Sequence, residues 1–148
     1  MVLVLVLLVV LTAASGAIFK PGEWYESLDK PPWTPPNLAF PIVWSSLYVL
    51  MVIAGWLVWR EAGWSLALLL WLLQLAANAL WSALFFGLHR MRLALVDAIC
   101  MWVLVAAFIV VAWPISNWAA ILFVPYLAWL SLAVLLNASI LRRNPEAG

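Results

Sequence analysis

The chain has 148 residues, of which 69% are hydrophobic and only 9% are charged. Soluble domains carry about 25% charged residues, so this composition predicts an integral membrane protein. A net charge of +1 gives no indication of a nucleic-acid partner, and a single cysteine excludes an intramolecular disulfide or a cysteine-rich metal site. At about 20 residues per membrane span, we expect one transmembrane domain over residues 1–148.

Five apolar runs are each long enough to cross about 30 Å of hydrocarbon as a helix. They predict an all-α membrane protein, a bundle of five transmembrane helices at residues 2–19, 40–59, 64–88, 93–113 and 118–141. The small residues at 13–17 would also suit a signal-peptidase site, but no positive charge precedes the first run and it continues to Phe19. A membrane span is therefore the favoured interpretation.

The loop between the first two runs, residues 20–39, contains the sequence KPPWTPP with Trp33 at its centre. Each proline fixes its own φ and disfavours helix at the preceding residue, so we expect an extended, stiff segment. Such a segment would serve either as a lid over the mouth of the bundle or as a linker whose Trp33 anchors in the membrane interface. The local pattern favours neither interpretation.

In the third run, Gln74, Asn78 and Ser82 repeat every four residues and therefore share one helix face. Such polar side chains seldom face lipid, so they are expected to bond to neighbouring helices or to a ligand. Trp81 lies three residues after Asn78, on nearly the same face. An amide and an indole thus point into one space.

The same run carries a second stripe, of the small residues Ala79, Ala83 and Gly87. Small residues at four-residue spacing allow two helix backbones to approach closely in lipid. The stripe predicts either a homodimer interface or close packing against another helix of the same chain.

Asp97 is the only acidic residue inside a predicted span. An unpaired carboxylate there would be costly, so we expect a structural ion pair with Arg142 or Arg143. A role in ligand binding or proton transfer is the alternative.

The fifth run contains Pro125, which removes a backbone donor and predicts a bend just before Tyr126. Ala133 follows Trp129 by four residues, which leaves room for a flat group beside the indole. At 1.5 Å rise per residue, six residues fall in the same half of the membrane under the proline-rich loop: Trp33, Trp44, Asn78, Trp81, Trp129 and Ala133. Their shared depth predicts a ligand pocket.

Basic residues predict the orientation of the bundle. Six of the seven Lys and Arg residues follow the first, third or fifth run: Lys20, Lys30, Arg90, Arg92, Arg142 and Arg143. The positive-inside rule therefore places the N-terminus outside and the C-terminus in the cytoplasm.

Several motifs, taken in order, resemble the TspO/MBR family, the tryptophan-rich sensory proteins related to the mitochondrial translocator protein once called the peripheral benzodiazepine receptor. The resemblance covers residues 19–144, and it rests on KPPWTPP at 30–36, FPIVWSSLY at 40–48, QLAANALW at 74–81, FFG at 85–87, ALVD at 94–97, PYLAW at 125–129 and LN at 136–137.

The resemblance implies a five-helix bundle, often a homodimer, that binds porphyrin- or haem-type tetrapyrroles, and drug ligands of the benzodiazepine-receptor type, in a pocket capped by the first loop. It adds Tyr126 to the expected ligand residues and favours the lid interpretation of Trp33. No obligatory cofactor is expected. The implied role is sensory or regulatory. One alternative is transport of the ligand. Another is light- and oxygen-dependent porphyrin breakdown, in which Trp33 and Trp44 would serve as oxidisable rings. Ala138 replaces the tyrosine of the family's sterol pattern, which argues against sterol binding.

Overall fold

The computed structural model describes residues 1–147 and contains six α-helices with short connections. Their bounds are α1 Val2–Ile18, α2 Glu23–Ser27, α3 Ala39–Ala62, α4 Leu66–Ser82, α5 Met91–Ala112 and α6 Asn117–Arg143. A π-helical turn, Ala83–Gly87, extends α4, and a 3-10 turn, Pro145–Ala147, follows α6. The predicted all-α class is confirmed for the described residues.

Among residues 1–147, four segments are long and apolar enough to cross a membrane: α3, α4 with its π turn, α5 and α6. Helix α1 is equally apolar but has 17 residues. At 1.5 Å per residue it is about 26 Å long, slightly less than the hydrocarbon thickness of about 30 Å. The chain is therefore a multi-pass membrane protein with four spans that meet the length criterion, and the fifth predicted span forms as a shorter helix.

Local signals explain where the helices begin and end. The hydroxyls of Ser65 and Ser116 accept hydrogen bonds from the backbone amides of Leu68 and Ala119, which caps the first turns of α4 and α6. Gly63 ends α3 with φ of 60°, a left-handed conformation that glycine adopts without strain. Helix α6 continues through Pro125 to Arg143.

Trp71 makes a close contact between α3 and α4 in the core. The indole of Trp71 is fully buried and donates a hydrogen bond to the backbone carbonyl of Met51, 2.9 Å away. That approach requires glycine at position 55, because a Cβ atom there would lie 2.7 Å from Cε2 of Trp71. Helix α1 packs against α3 and α4, whereas α5 and α6 pack against each other and close the other side of the bundle.

The first loop is folded rather than extended, which corrects the expectation from its prolines. The amide of Thr34 donates to the carbonyl of Pro31 at 3.1 Å, and that of Ala39 to Pro36 at 2.9 Å, so the proline-rich segment contains two turns. Pro32 stands at the second position of the first turn, where the fixed φ of proline favours a turn. The prolines therefore stiffen the loop in a bent conformation.

Three contacts tie this loop to the bundle. The ring of Trp24 stacks on His89 with centroids 3.9 Å apart, next to the start of α5. The side-chain amide of Asn144 accepts from the backbone amide of Asp29 at 3.0 Å and donates to its carbonyl at 2.8 Å. Arg143 adds an ion pair to Asp29 at 3.6 Å. The first loop, the loop after α4 and the end of α6 therefore lie at the same end of the molecule.

Candidate functional site

A cavity of about 490 Å³ lies between α1, α3 and α4 beneath the first loop. Its volume is in the range typical of small-molecule sites. Its walls are mostly apolar and aromatic, with a few polar groups from the first loop, α3 and α4. The lining residues are Ala13, Gly16, Ala17, Phe19, Lys20, Pro21, Asn37, Leu38, Phe40, Pro41, Trp44, Ser45, Tyr48, Trp81, Ser82 and Phe86.

Helix α3 supplies a stacked aromatic wall. Trp44 and Tyr48 are four residues apart and therefore share one face of the helix. Their rings stack with centroids 5.8 Å apart at an angle of 25°. Both side chains are half-buried, so their outer faces border the cavity. Trp44 was predicted from the sequence as a site residue. Tyr48 was not predicted, although its four-residue spacing from Trp44 places it on the same helix face.

Helix α1 supplies another part of the lining, which was not predicted from the sequence. Ala13, Gly16 and Ala17 line the cavity and present almost no side-chain volume. These are the small residues that also suit a signal-peptidase site, and in the structure they continue the helix to Ile18. Small residues and stacked rings in one lining leave a space suited to a flat, apolar molecule.

Helix α4 contributes Trp81, Ser82 and Phe86 to the cavity. Trp81 is almost fully buried, and its indole N–H donates to the side-chain oxygen of Asn137 on α6 at 3.2 Å. The N–H is thus occupied by the protein, and the ring is the part of Trp81 available to a ligand. The π turn changes the helical register after Ser82, at the point where α4 reaches Phe86.

A chain of hydrogen bonds runs behind the aromatic wall. The hydroxyl of Tyr48 donates to Oδ1 of Asn78 at 3.0 Å, and Nδ2 of Asn78 donates to the hydroxyl of Tyr126 at 2.9 Å. Tyr126 in turn donates to Oε1 of Gln74 at 2.7 Å. Asn78 and Tyr126, both expected to touch a ligand, therefore lie outside the cavity lining and hold Tyr48 in place across three helices.

Two further candidates lie behind the cavity rather than in its lining. Trp129 contacts Trp44 edge-on at 6.3 Å between centroids and Phe40 at 5.9 Å, so it supports two lining rings. Its indole N–H is buried without a hydrogen-bond partner among the described residues. Ala133 is buried on α6 and does not reach the lining.

Trp33, expected to cover the ligand, lies elsewhere. It borders a different cavity together with Arg142 and Arg143, on the outer side of α6. The first loop contributes Lys20, Pro21, Asn37 and Leu38 to the site cavity instead. The sequence does not indicate which loop residues border the cavity, because the two turns decide which part of the loop meets it.

Lys20 is the one cationic side chain in the cavity lining of the described chain. Lys30, the other lysine of the first loop, has a different role: its Nζ donates to the carbonyls at the end of α2, the shortest distance being 2.8 Å to Tyr25. It also lies 4.8 Å above the ring of Tyr25. Lys30 therefore stabilises the loop, and Lys20 is free to meet an acidic ligand group.

Tyr25 packs the loop onto the aromatic cluster beneath it. Its ring meets Phe40, Phe85 and Phe86 at centroid distances of 6.3, 5.9 and 5.4 Å. Burial, with the neighbouring Glu26 carboxylate, raises the pKa of Tyr25 to about 12, so the phenol is neutral at physiological pH.

The ion pair predicted for Asp97 is wrong. Arg143 pairs with Asp29 of the first loop, and no salt bridge joins Asp97 to another of the residues 1–147. The contact across the end of the bundle is preferred because Asp29 lies at the surface, whereas Asp97 is buried on α5. Asp97 is also absent from the cavity lining, so a structural role remains the prediction for it.

Part of the small-residue stripe on α4 serves contacts within the chain. A Cβ atom on Gly87 would lie 2.5 Å from the ring of Phe19, so this glycine allows the end of α1 to pack on the π turn. Ala79 and Ala83 are half-buried. The stripe therefore packs intramolecularly at Gly87, and a homodimer contact through the two alanines stays a prediction.

Comparison with known proteins identifies the family of this chain. The TspO/MBR family model matches residues 2–143. The chain is 45% identical to a tryptophan-rich sensory protein of Cereibacter sphaeroides over 91% of its own length and 87% of that protein. It is 43% identical to Protein CrtK of Rhodobacter capsulatus over 89% of its own length and 85% of that protein. It is 39% identical to the translocator protein of Homo sapiens over 87% of its own length and 81% of that protein. The chain therefore belongs to the TspO/MBR family.

Proposed function

We propose that this protein is a membrane receptor for tetrapyrroles, which it binds in the cavity between α1, α3 and α4, and that binding has a sensory or regulatory outcome. The observation that carries the proposal is the shape of the cavity. The stacked rings of Trp44 and Tyr48 line the same cavity as the small residues Ala13, Gly16 and Ala17 of α1. A flat π-system is the ligand class that a cavity lined by stacked rings and small residues accommodates best.

The charge distribution supports a ligand with an acidic edge. Lys20 belongs to the first loop and is the one cationic group in a mostly apolar lining, so a carboxylate on the rim of a tetrapyrrole would pair with it. A relative that bears the name tryptophan-rich sensory protein supports the sensory role. Flat, apolar drugs of the benzodiazepine-receptor type are a second ligand class for the same cavity.

The topology proposed for the membrane follows from the shared end of the bundle. The contacts of Asp29 with Asn144 and of Trp24 with His89 bring three basic segments to one side: the first loop, the loop after α4 and the C-terminal tail. We infer that this side is cytoplasmic, by the positive-inside rule, and that α1 is the fifth span with its N-terminus outside. Reporter fusions at the two termini test this orientation, and a reporter that is active in the cytoplasm when fused to the N-terminus would refute it.

Porphyrin titration of the purified protein in the dark tests the ligand. We expect saturable binding that Trp44→Ala weakens by roughly 1–3 kcal/mol, the range for losing a stacked, buried aromatic ring. Trp33→Ala is the matched control: it also removes an indole ring, but at a position outside this cavity, and is expected to change the affinity less than about twofold. Equal losses in both variants would contradict the assignment to this cavity.

Illumination of the complex separates binding from chemistry. A receptor keeps the absorbance of its bound porphyrin, whereas a photo-oxidative enzyme loses it in a manner that depends on the tryptophans. Absence of saturable binding by wild-type protein would refute the proposed function altogether.

A further inference from the structure

Two cavities on the outer side of the bundle form a groove unrelated to the candidate site. The first, the head cavity, has a volume of about 560 Å³ and is lined by Trp33, Leu135, Ala138, Ser139, Arg142 and Arg143. The second, the chain cavity, has about 360 Å³ and is lined by Ile99, Trp102, Ser131, Val134 and Leu135. Leu135 borders both, so the two cavities adjoin at this exposed residue of α6.

The head cavity is polar and cationic at one end. Arg142 is exposed and has no carboxylate within 4.0 Å among residues 1–147. Arg143 is paired with Asp29 at 3.6 Å through one of its nitrogens, Nη1. A guanidinium presents several donors in a planar fork that matches phosphate oxygens, so the pair of arginines is suited to a phosphate group. Trp33 borders the same space, at the depth where indoles favour the membrane interface.

The chain cavity is apolar although it contains an indole and a hydroxyl. The indole N–H of Trp102 donates to the hydroxyl of Ser131 at 2.9 Å, and that hydroxyl donates to the carbonyl of Leu127 at 2.9 Å. Both donors are therefore satisfied within the protein. What remains for an occupant is the ring of Trp102 with the aliphatic groups of Ile99 and Val134.

The length of the groove matches one leaflet. Arg142 and Ser131 are eleven residues apart on α6, which corresponds to about 16 Å along the helix. One leaflet of a bilayer with a hydrocarbon core of about 30 Å is about 15 Å deep. The cationic end of the groove lies at the end of the spanning helix, and its apolar end lies near the middle of the membrane.

We propose that this groove is a binding site for a phospholipid with an anionic headgroup. The phosphate and headgroup lie between Arg142, Arg143 and Trp33, and one acyl chain lies across Leu135 towards Trp102. Because Trp33 and Asp29 belong to the first loop, the bound headgroup contacts the loop that also borders the candidate ligand cavity. The lipid site does not depend on the identity of the ligand in that cavity.

Native mass spectrometry of the detergent-solubilised protein tests the proposal, with phosphatidylglycerol and phosphatidylcholine of identical acyl chains as the probes. We expect the first bound phosphatidylglycerol to be held at least about fivefold more tightly than phosphatidylcholine, the effect of about one interfacial cationic contact. Arg142→Gln is expected to remove that preference. Arg92→Gln is the matched control, because Arg92 is exposed at the same end of the bundle and lies outside the groove.

Ala138→Phe is a second variant, which fills the head cavity without a change of charge. It is expected to lower the affinity for phosphatidylglycerol by about tenfold, the effect of losing roughly 1.4 kcal/mol of contact. Equal affinities of wild-type protein for the two lipids would overturn the proposal. Equal effects of Arg142→Gln and Arg92→Gln would also overturn it, since they would indicate general charge attraction, as would an unchanged affinity in Ala138→Phe.

Discussion

Removing the hydroxyl of Tyr126 is expected to destabilise the bundle more than removing that of Tyr48, although only Tyr48 borders the cavity. The hydroxyl of Tyr126 accepts from Asn78 at 2.9 Å and donates to Gln74 at 2.7 Å. Tyr126→Phe therefore leaves an amide donor and an amide acceptor without these partners, on two side chains that are 2% and 0% exposed. Tyr48→Phe leaves a single acceptor of Asn78 unpaired.

The expected loss of unfolding free energy follows from the number of polar groups that each variant leaves unpaired. A buried polar group left unpaired costs about 1–3 kcal/mol in water-soluble proteins. Hydrogen bonds between transmembrane helices average about 0.6 kcal/mol and reach about 1.7. Two such losses give about 1–3 kcal/mol for Tyr126→Phe, and one gives about half of that for Tyr48→Phe.

Reversible unfolding in mixed detergent micelles measures both free energies, and porphyrin titration of the same variants measures their effect on the site. Tyr48→Phe is expected to have the larger effect on ligand affinity. The ring of residue 48 lines the cavity, and the lost hydrogen bond to Asn78 holds that ring in place. A Tyr126→Phe variant that unfolds with the free energy of the wild type, or that is more stable than Tyr48→Phe, would show that the hydrogen-bond chain does not support the fold.

Three further changes test other contacts. Gly55→Ala is expected to lower the unfolding free energy by about 1–3 kcal/mol in the same assay, because the new methyl group overlaps the ring of Trp71, and a loss below about 0.5 kcal/mol would contradict this packing. Asn144→Ala breaks both hydrogen bonds to Asp29, so we expect faster proteolysis within the first loop and little change in global stability, and unchanged cleavage would argue against this attachment. Ala83→Phe is expected to convert a homodimer into a monomer in lipid nanodiscs while porphyrin affinity is kept, whereas a variant that remains dimeric would assign the interface to another surface.

The amino-acid sequence by itself determined the membrane class, the all-α fold and the positions of the long helices to within a few residues. These features depend on local composition: apolar runs must satisfy their backbone hydrogen bonds internally when they enter lipid, and only helices do so within one segment. It also selected Trp44 and Trp81 as site residues, because aromatic side chains in a predicted span are visible without knowledge of the partners.

Only the tertiary structure decided which candidates share a cavity. Depth along a helix follows from residue number, but rotation and neighbours do not, so Trp129 and Asn78 have suitable depths and yet lie behind the wall that Trp44 forms. The contribution of α1 to the cavity was not predictable for the same reason. Alanine and glycine line a cavity only where neighbouring helices leave space beside them. The place of Trp33 depends on two turns and on the attachment of Asp29 to the end of α6, a contact between residues 115 positions apart. Long-range contacts of this kind leave no periodic pattern in a single sequence.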